Sequence, residues 1–403
     1  MKKKKILIIG GGFGGCACAN ILNDIENIEI TLVEKSNSLG AGVRTFFYGG
    51  YHPYTFGPRH FLTKNRDVYK YFNKIIPMRS VNYHEFITYA EQDNMFYHYP
   101  INMNDVKKMS DKKKIYKELK KRNQKKIINS RNLEDYWINS IGRTLYGKVI
   151  KNYNKKMWMV NDVKKIDTFN WSPKGATIKS ASSNSEAWEK NEIYSCYPIK
   201  LNGYNDYFDR LKKTKVKIHL NSTVKVLDIK KKIFYINDKK RLEYDIVINT
   251  IAPEYLLDNH YGELPFIGRN LEYIVFPSEY VFPGNVSFVY YAGTEKFTRM
   301  VEYKKFTNYK SKNSLIGIEY PSFNGKHYPL PFKKEIKRAL KYIGNLPEWY
   351  FSIGRAGTYR YAVDIDDCIE QALKIKEIIL NQSYDGAFPL KKWYLEDNFD
   401  NRQ

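Results

Sequence analysis

The sequence predicts an α/β protein: a discontinuous, doubly wound domain of Rossmann-like type, with an inserted helical domain and an antiparallel β-sheet domain. Three observations lead there. A strand, a glycine turn, a helix and a second strand open the chain. A helix-patterned stretch follows at about 105–165, and short strands then return in hairpins. In the opening unit, Ile6-Leu7-Ile8-Ile9 is a continuous apolar run, which suits a strand buried on both faces. It leads into Gly10, Gly12 and Gly15. Cys16 to Leu22 starts a small-residue helix, and Ile28 to Val33 is a second strand ending at Glu34. This is the dinucleotide fingerprint in its structural context. Gly10 allows the tight turn, Gly12 leaves room for a pyrophosphate, and Gly15 lets helix and strand approach closely. The helix start offers unpaired N–H groups and a positive dipole end to the phosphates. Glu34 is placed to accept hydrogen bonds from ribose hydroxyls. Phe13, Gly14 and Lys35 complete this part of the expected cofactor set. The bland alternative is a tight turn with nothing bound.

The dinucleotide is expected to be FAD. Glu34-Lys35 continues into Ser38-Leu39-Gly40-Ala41-Gly42, and a second glycine-bearing turn after the ribose acid is typical of the glutathione-reductase-like FAD class. Gly42 therefore joins the cofactor set. Further on stands Phe56-Gly57-Pro58-Arg59-His60-Phe61-Leu62-Thr63. Here the sequence resembles the UDP-galactopyranose mutase family, whose pattern is G-(A/P)-H-x-F-H-T. The resemblance implies a cofactor contact at Phe61 and a histidine at the reacting face. The family's histidine positions hold Arg59 and Leu62, so His60, between them, is the candidate.

The resemblance continues along the chain. Asp67 to Ile76 has helical spacing. Phe86 to Tyr89 and Met95 to Tyr99 read as a hairpin around Glu91-Gln92-Asp93-Asn94. The family has a hairpin here and an asparagine before it, matched by Asn82. From Asp105 to Lys156 the pattern is helical, with Trp137, Ile141, Leu145, Val149 and Ile150 on one side. Tyr153, Lys156 and Trp158 fall in register with the family's Y-T-x-K-Q-W, which implies a uracil stack on Tyr153 and a cleft wall at Trp158. A flat ring also needs a flat apolar partner on physical grounds. The alternative is core aromatics at a helix end. Residues 168–188 are polar and serine-rich and read as a mobile lid loop. The family carries a diphosphate-clamping arginine in its lid. Here Trp171 takes that position, with Lys174 or Lys179 as substitutes that lack a bidentate fork.

Strands follow at Lys215 to Leu220 and Val224 to Ile229, and a hairpin at Ile233–Ile236 and Arg241–Tyr244. A buried strand, Asp245 to Thr250, ends beside the cofactor and brings in Thr250. Phe297-Thr298-Arg299-Met300-Val301-Glu302-Tyr303-Lys304 resembles the family's Y-T-R-I-I-E-H-K, and His327-Tyr328-Pro329 its Y-Y-P. The resemblance implies that Arg299 and Tyr328 hold the diphosphate. The alternative for Arg299 is a surface salt bridge with Glu302. Gly354-Arg355 and Tyr359-Arg360-Tyr361 then lead into a helix from Asp364 to Leu380. There the resemblance implies Arg355 as a second diphosphate arginine that also reaches the cofactor, Tyr361 as a hydroxyl donor, and Asp364 near the flavin's pyrimidine edge. Acidic capping alone would also explain Asp364.

Length and composition agree with this reading. A chain of 403 residues suggests two or three domains. We place the FAD domain at 1–79 with 190–262 and 331–403, the helical substrate domain at 105–165, and the sheet domain at 80–104 with 263–330. No apolar run approaches the roughly twenty residues of a membrane helix, and Ile6 to Ile9 is too short for a signal core. The chain is expected to be cytoplasmic, with no transmembrane segment. Cys16, Cys18, Cys196 and Cys368 have no metal-type spacing, so no metal site is expected. The net charge of +24 comes from scattered lysines, clustered only at Lys107 to Lys126. Solvated faces explain it better than nucleic acid, and no nucleic-acid partner is expected.

The expected function is a flavin-dependent UDP-sugar mutase interconverting pyranose and furanose forms. The resemblance implies a reaction without net redox change. Reduced FAD attacks the anomeric carbon through N5 and expels UDP; the sugar opens, recloses and returns to UDP as the furanose. Arg299 and Arg355 would hold the leaving diphosphate. UDP-galactopyranose, UDP-arabinopyranose, UDP-N-acetylgalactosamine and deoxy-sugar nucleotides are all admissible substrates. A reductant such as NAD(P)H is implied, the product would feed a surface polysaccharide, and a homodimer is admissible. The rival readings are an amine-oxidase-like FAD oxidoreductase and a non-catalytic basic binding protein.

Overall fold

The computed structural model describes residues 3–169, 193–229, 231–237 and 240–381. The elements that position the site are, in chain order, β1 (Lys4–Ile9), α1 (Phe13–Leu22), β2 (Ile28–Val33), β3 (Glu85–Ala90), β4 (Met95–His98), α2 (Leu133–Ile141), α3 (Lys151–Trp158), β5 (Lys217–His219) and β6 (Ile246–Asn249). Then follow β7 (Phe266–Phe276), β8 (Val286–Tyr291), β9 (Arg299–Glu302), β10 (Ser314–Ser322), β11 (Tyr328–Pro329), α4 (Lys333–Gly344), β12 (Tyr350–Ser352), α5 (Gly354–Gly357) and α6 (Ile365–Asn381).

Strands β5, β2, β1, β6 and β12 form one parallel sheet in that order. It draws strands from the beginning, middle and end of the chain, as a discontinuous Rossmann-like domain requires. The apolar run of β1 is buried on both faces, and its alternation sorts two cores. Ile6 and Ile8 face the cluster containing α1 and α6. Leu7 and Ile9 face Phe234, Ile236 and Tyr244 under a three-stranded antiparallel layer. Helix α1 lies close against β1 because Gly15 has no side chain. A Cβ there would fall 1.9 Å from the Gly10 carbonyl oxygen.

A second sheet of seven strands runs β11-β7-β10-β9-β8-β3-β4. It departs from a purely antiparallel layer at one place: β3 pairs with β8 in parallel. The early hairpin is joined to the later strands by a long crossover. Phe86 stacked on Phe288 at 4.0 Å seals that junction. The helical stretch is segmented, with Asn102, Asn123 and Asn132 capping three of the segments through their side-chain oxygens. Trp137, Ile141, Leu145, Val149 and Ile150 form its core, as their spacing predicts. Lys148 pins the helices to the hairpin turn through ion pairs with Asp93 at 2.7 Å and Asp111 at 2.8 Å. The lysines at 107–126 lie on exposed faces. No helix among the described residues is long and apolar enough to cross a membrane.

Candidate active site

The glycine turn after β1 builds a cradle at the start of α1. Gly12 is the N-cap and contributes no side-chain hydrogen bond, so the first N–H groups of the helix point into open space. A Cβ on Gly12 would meet only Ala41, at 3.8 Å. The second glycine turn is tied to the first: Gly40 N–H donates to the Gly11 carbonyl at 2.8 Å. Glu34, at the end of β2, accepts from Gly11 N–H at 2.6 Å and Ser36 N–H at 2.7 Å. Its carboxylate is thus oriented beside the turn with lone pairs to spare. Thr250 Oγ1 donates to the Ile9 carbonyl at 2.9 Å and closes the floor after β6. Gly14 and Gly354 approach each other, a Cβ on Gly14 lying 3.8 Å from Gly354 Cα. The cradle therefore opens directly onto Arg355.

Beyond Gly354 an aromatic and cationic cleft is assembled from α3, β8, β9, β11 and α5. Helix α3 supplies Tyr153 and Trp158. Tyr153 meets Tyr290 of β8 edge-on at 5.3 Å, and Trp158 meets Tyr361 at 4.9 Å. Tyr361 packs on Tyr328 of β11 at 5.5 Å. The Arg355 guanidinium lies 5.3 Å from the Tyr328 ring and 5.5 Å from the Tyr361 ring. Arg299, at the start of β9, lies over Phe288 and Tyr290 at 5.2 and 5.9 Å. It is clamped by Glu319 on the neighbouring strand, at 2.9 and 2.8 Å. Arg355 pairs with Asp364. The turn before Arg59 is fitted to this wall: Gly57 has φ +77°, and a Cβ on it would lie 2.9 Å from Glu319 Oε1 and 3.7 Å from Arg299 Nη2.

The electrostatics are those of an anion site. Burial pushes the Tyr153 hydroxyl well up and Tyr361 up to about 12. Tyr328 goes the other way. Burial opposes its ionisation, but Arg59, Arg269 and Arg355 outweigh that and hold it below the usual tyrosine value. Burial, with the same three arginines, pushes His327 down to about 4, so its ring is neutral at pH 7.

A family model for UDP-galactopyranose mutase matches residues 148–361, more than half of the chain, and spans this cleft. The chain belongs to the UDP-galactopyranose mutase family. A model for an NAD(P)-binding Rossmann-like domain matches residues 8–75. The chain is 24% identical over 401 residues to the dTDP-fucopyranose mutase of Escherichia coli, covering 94% of this chain and 99% of that protein. It is 22% identical over 409 residues to a Klebsiella pneumoniae protein named "Probable UDP-galactopyranose mutase", covering 94% and 96%. A crystal structure of reduced UDP-galactopyranose mutase shares the fold, with a TM-score of 0.79 at 15% identity, over 100% of this chain and 98% of that one. The mutase is thus an isomerase and a divergent member of its family, and its cofactor is FAD. The cradle fits that group: bare helix N–H groups and the Gly12 gap suit a pyrophosphate, and the fixed Glu34 carboxylate suits a ribose.

Tyr153, Trp158, Arg299, Tyr328, Arg355 and Tyr361 come together in the cleft. Gly10, Gly12, Gly14, Gly15, Glu34 and Thr250 come together in the cradle, with Gly42 on its rim. Other candidates stand apart. Phe13 stacks on Tyr207 at 5.3 Å, and Phe61 is fully buried against Phe72 at 5.0 Å. His60 packs its ring on Phe306 at 6.0 Å. Lys35 is exposed. Asn82 stands in the turn just before β3, its Oδ1 buried and without a hydrogen-bond partner among the described residues. Trp171, Lys174, Lys179 and most of the lid stretch lie outside the described residues.

Two local alternatives are corrected. Arg299 does not pair with Glu302; that carboxylate is turned inward and accepts from Val281 and Phe282 N–H, both at 2.9 Å. Asp364 is taken up by Arg355 rather than being only a helix cap. Sequence reading missed Arg269 and the closeness of Arg59 to Tyr328 and His327. Arg269 is buried on β7 with its guanidinium 4.7 Å from the Tyr328 ring. The available signal was an arginine set in the apolar start of that strand.

Proposed function

We propose that this mutase interconverts the pyranose and furanose forms of a nucleotide sugar, UDP-galactose or a related UDP or dTDP sugar. The observation that carries the reading is the convergence of Arg299, Arg355, Tyr328 and Tyr361 at the open end of the FAD cradle. Tyr153 presents its ring to one side of it, and Trp158 is buried in the helical core against Tyr361. A base needs a flat apolar partner and a leaving diphosphate needs fixed positive charge. Uracil and thymine differ by one methyl group and stack alike, so the dTDP relative widens the choice of nucleotide.

Bound in its reduced form, FAD supplies the nucleophile and proton-transfer atoms that the chain's side chains lack. The chain does the rest. Arg299, oriented by Glu319, and Arg355, oriented by Asp364, neutralise charge as it develops on the departing diphosphate. Their guanidinium groups are held before substrate arrives, so little reorganisation is left to the reaction. Tyr153 orients the nucleotide, Trp158 supports the Tyr361 ring, and the cleft's buried tyrosines keep water from the sugar. We assign residues 1–79, 190–262 and 331–403 to FAD binding, 105–165 to the nucleotide, and 80–104 with 263–330 to the sheet wall. A cellular reductant such as NAD(P)H, a cytoplasmic location and a product destined for a surface polysaccharide complete the proposal.

The test is product analysis. Purified protein is incubated with UDP-galactopyranose, UDP-arabinopyranose and dTDP-fucopyranose, with and without dithionite. A new nucleotide sugar of identical mass, formed only by reduced protein, supports the reading and names the sugar. Consumption of substrate by oxidised protein with bleaching of the flavin would replace it with the oxidoreductase alternative.

A further inference from the structure

Arg59 is placed by three contacts that have nothing to do with its charge. Phe56 stacks on His327 at 4.7 Å and 16°. Gly57 fits against the Arg299–Glu319 pair. The Arg59 carbonyl accepts from the buried Tyr204 hydroxyl at 2.5 Å. From these anchors the guanidinium reaches the rim of the cofactor cradle, Nη2 standing 3.6 Å from where a Cβ on Gly42 would be. Its Nε is buried and has no hydrogen-bond partner among the described residues.

The surrounding charges do not balance. Arg299 is matched by Glu319, and Arg355 by Asp364. Arg269 bonds only to the carbonyls of Gly268 and Met157 and to the Met157 sulfur, and neither it nor Arg59 meets a carboxylate among the described residues. Arg59 is nevertheless close enough to Tyr328 and His327 to act on both, alongside Arg269 and Arg355. A guanidinium with a buried, unmet N–H is costly unless an anion or other acceptor completes it. Two uncompensated positive charges fit a diphosphate dianion.

We propose that Arg59 is a further substrate-binding residue, giving the nucleotide sugar's diphosphate a third arginine beside Arg299 and Arg355. The inference rests on the nucleotide-sugar reading above and adds a contact at the sequence position where the resemblance implied a histidine. It also makes the cleft more selective for a diphosphate, with two phosphoryl groups to hold, over a monophosphate.

Titration of oxidised, FAD-loaded protein with UDP, dTDP and UMP tests it without turnover. Wild type is expected to bind UDP or dTDP well above UMP. Arg59→Gln is expected to raise the UDP Kd about tenfold and to narrow the gap to UMP. Arg59→Lys should fall between, because a lysine keeps the charge and loses the fork. Flavin content and spectrum should be unchanged. Arg59→Gln and Arg59→Lys binding UDP within twofold of wild type would overturn the inference. So would loss of FAD from Arg59→Lys with UDP affinity intact, which would move Arg59 to the cofactor's own pyrophosphate. Failure of wild type to bind either diphosphate would instead overturn the nucleotide-sugar reading itself.

Discussion

Arg299 shows how much of this site lives in single side chains. It faces Glu319 across the β9–β10 ladder, where the two residues are directly paired. The carboxylate fixes the guanidinium and leaves its outer edge free for a diphosphate. Replacing Arg299 with Ala would strand Glu319, which is buried, so the informative change is Arg299→Lys. We predict a loss in kcat of roughly a hundredfold with FAD retained, measured by steady-state turnover of the reduced enzyme. Tyr153 separates ring from hydroxyl. Tyr153→Phe should turn over like wild type, whereas Tyr153→Ala should raise KM about tenfold, since a base–aromatic stack is worth about 1–3 kcal/mol. His327 gives a pH signature. Its pKa is pushed down to about 4 in the fold by burial and three arginines, against about 6.5 in the unfolded chain. The unfolded state binds the extra proton, so the stability from a neutral His327 is complete above pH 6.5 and falls as pH drops toward 4. Thermal melts across that window should show a smaller decline in His327→Gln than in wild type.

At the scale of elements, the legible parts were those where one local requirement forces one residue type. Gly15 is forced by contact between α1 and the Gly10 carbonyl, and the β1 run by burial on both faces. We predict that Gly15→Val yields protein without bound flavin, visible as a loss of absorbance near 450 nm, roughly the flavin maximum, because the helix cannot close on the cradle. The helix α3 aromatics Tyr153 and Trp158 were legible only through the resemblance to Y-T-x-K-Q-W, since residues five apart stand about 140° round a helix from each other. Arg269 and the Arg299–Glu319 pair were not. Each depends on which strands become neighbours: Glu319 comes from β10, and Arg269 reaches Tyr328 through the β7–β11 pairing. A single sequence has no period that reports such pairings, and the only local partner it offered Arg299, as an alternative, was Glu302. The parallel β3–β8 contact was hidden for the same reason, since the crossover that creates it is long.

At the scale of the whole molecule, the cradle is built from segments that are distant in sequence. Strands β1, β6 and β12 bring the glycine turn, Thr250 and Gly354 to one edge. FAD binding should therefore stabilise the whole fold: at a hundredfold excess over Kd, linkage gives about 2.7 kcal/mol. Flavin-stripped protein is expected to melt several degrees lower and to recover when FAD is added back. The central claim is that the cleft breaks and remakes the anomeric C–O bond of a nucleotide sugar with no net oxidation. It is tested most directly with a substrate carrying 18O in the bridge between sugar and diphosphate. We predict that reduced enzyme scrambles the label into the non-bridging positions of the phosphate while total substrate plus isomer stays constant. Label that stays in the bridge under reducing conditions, or a substrate oxidised as the flavin bleaches, would contradict it.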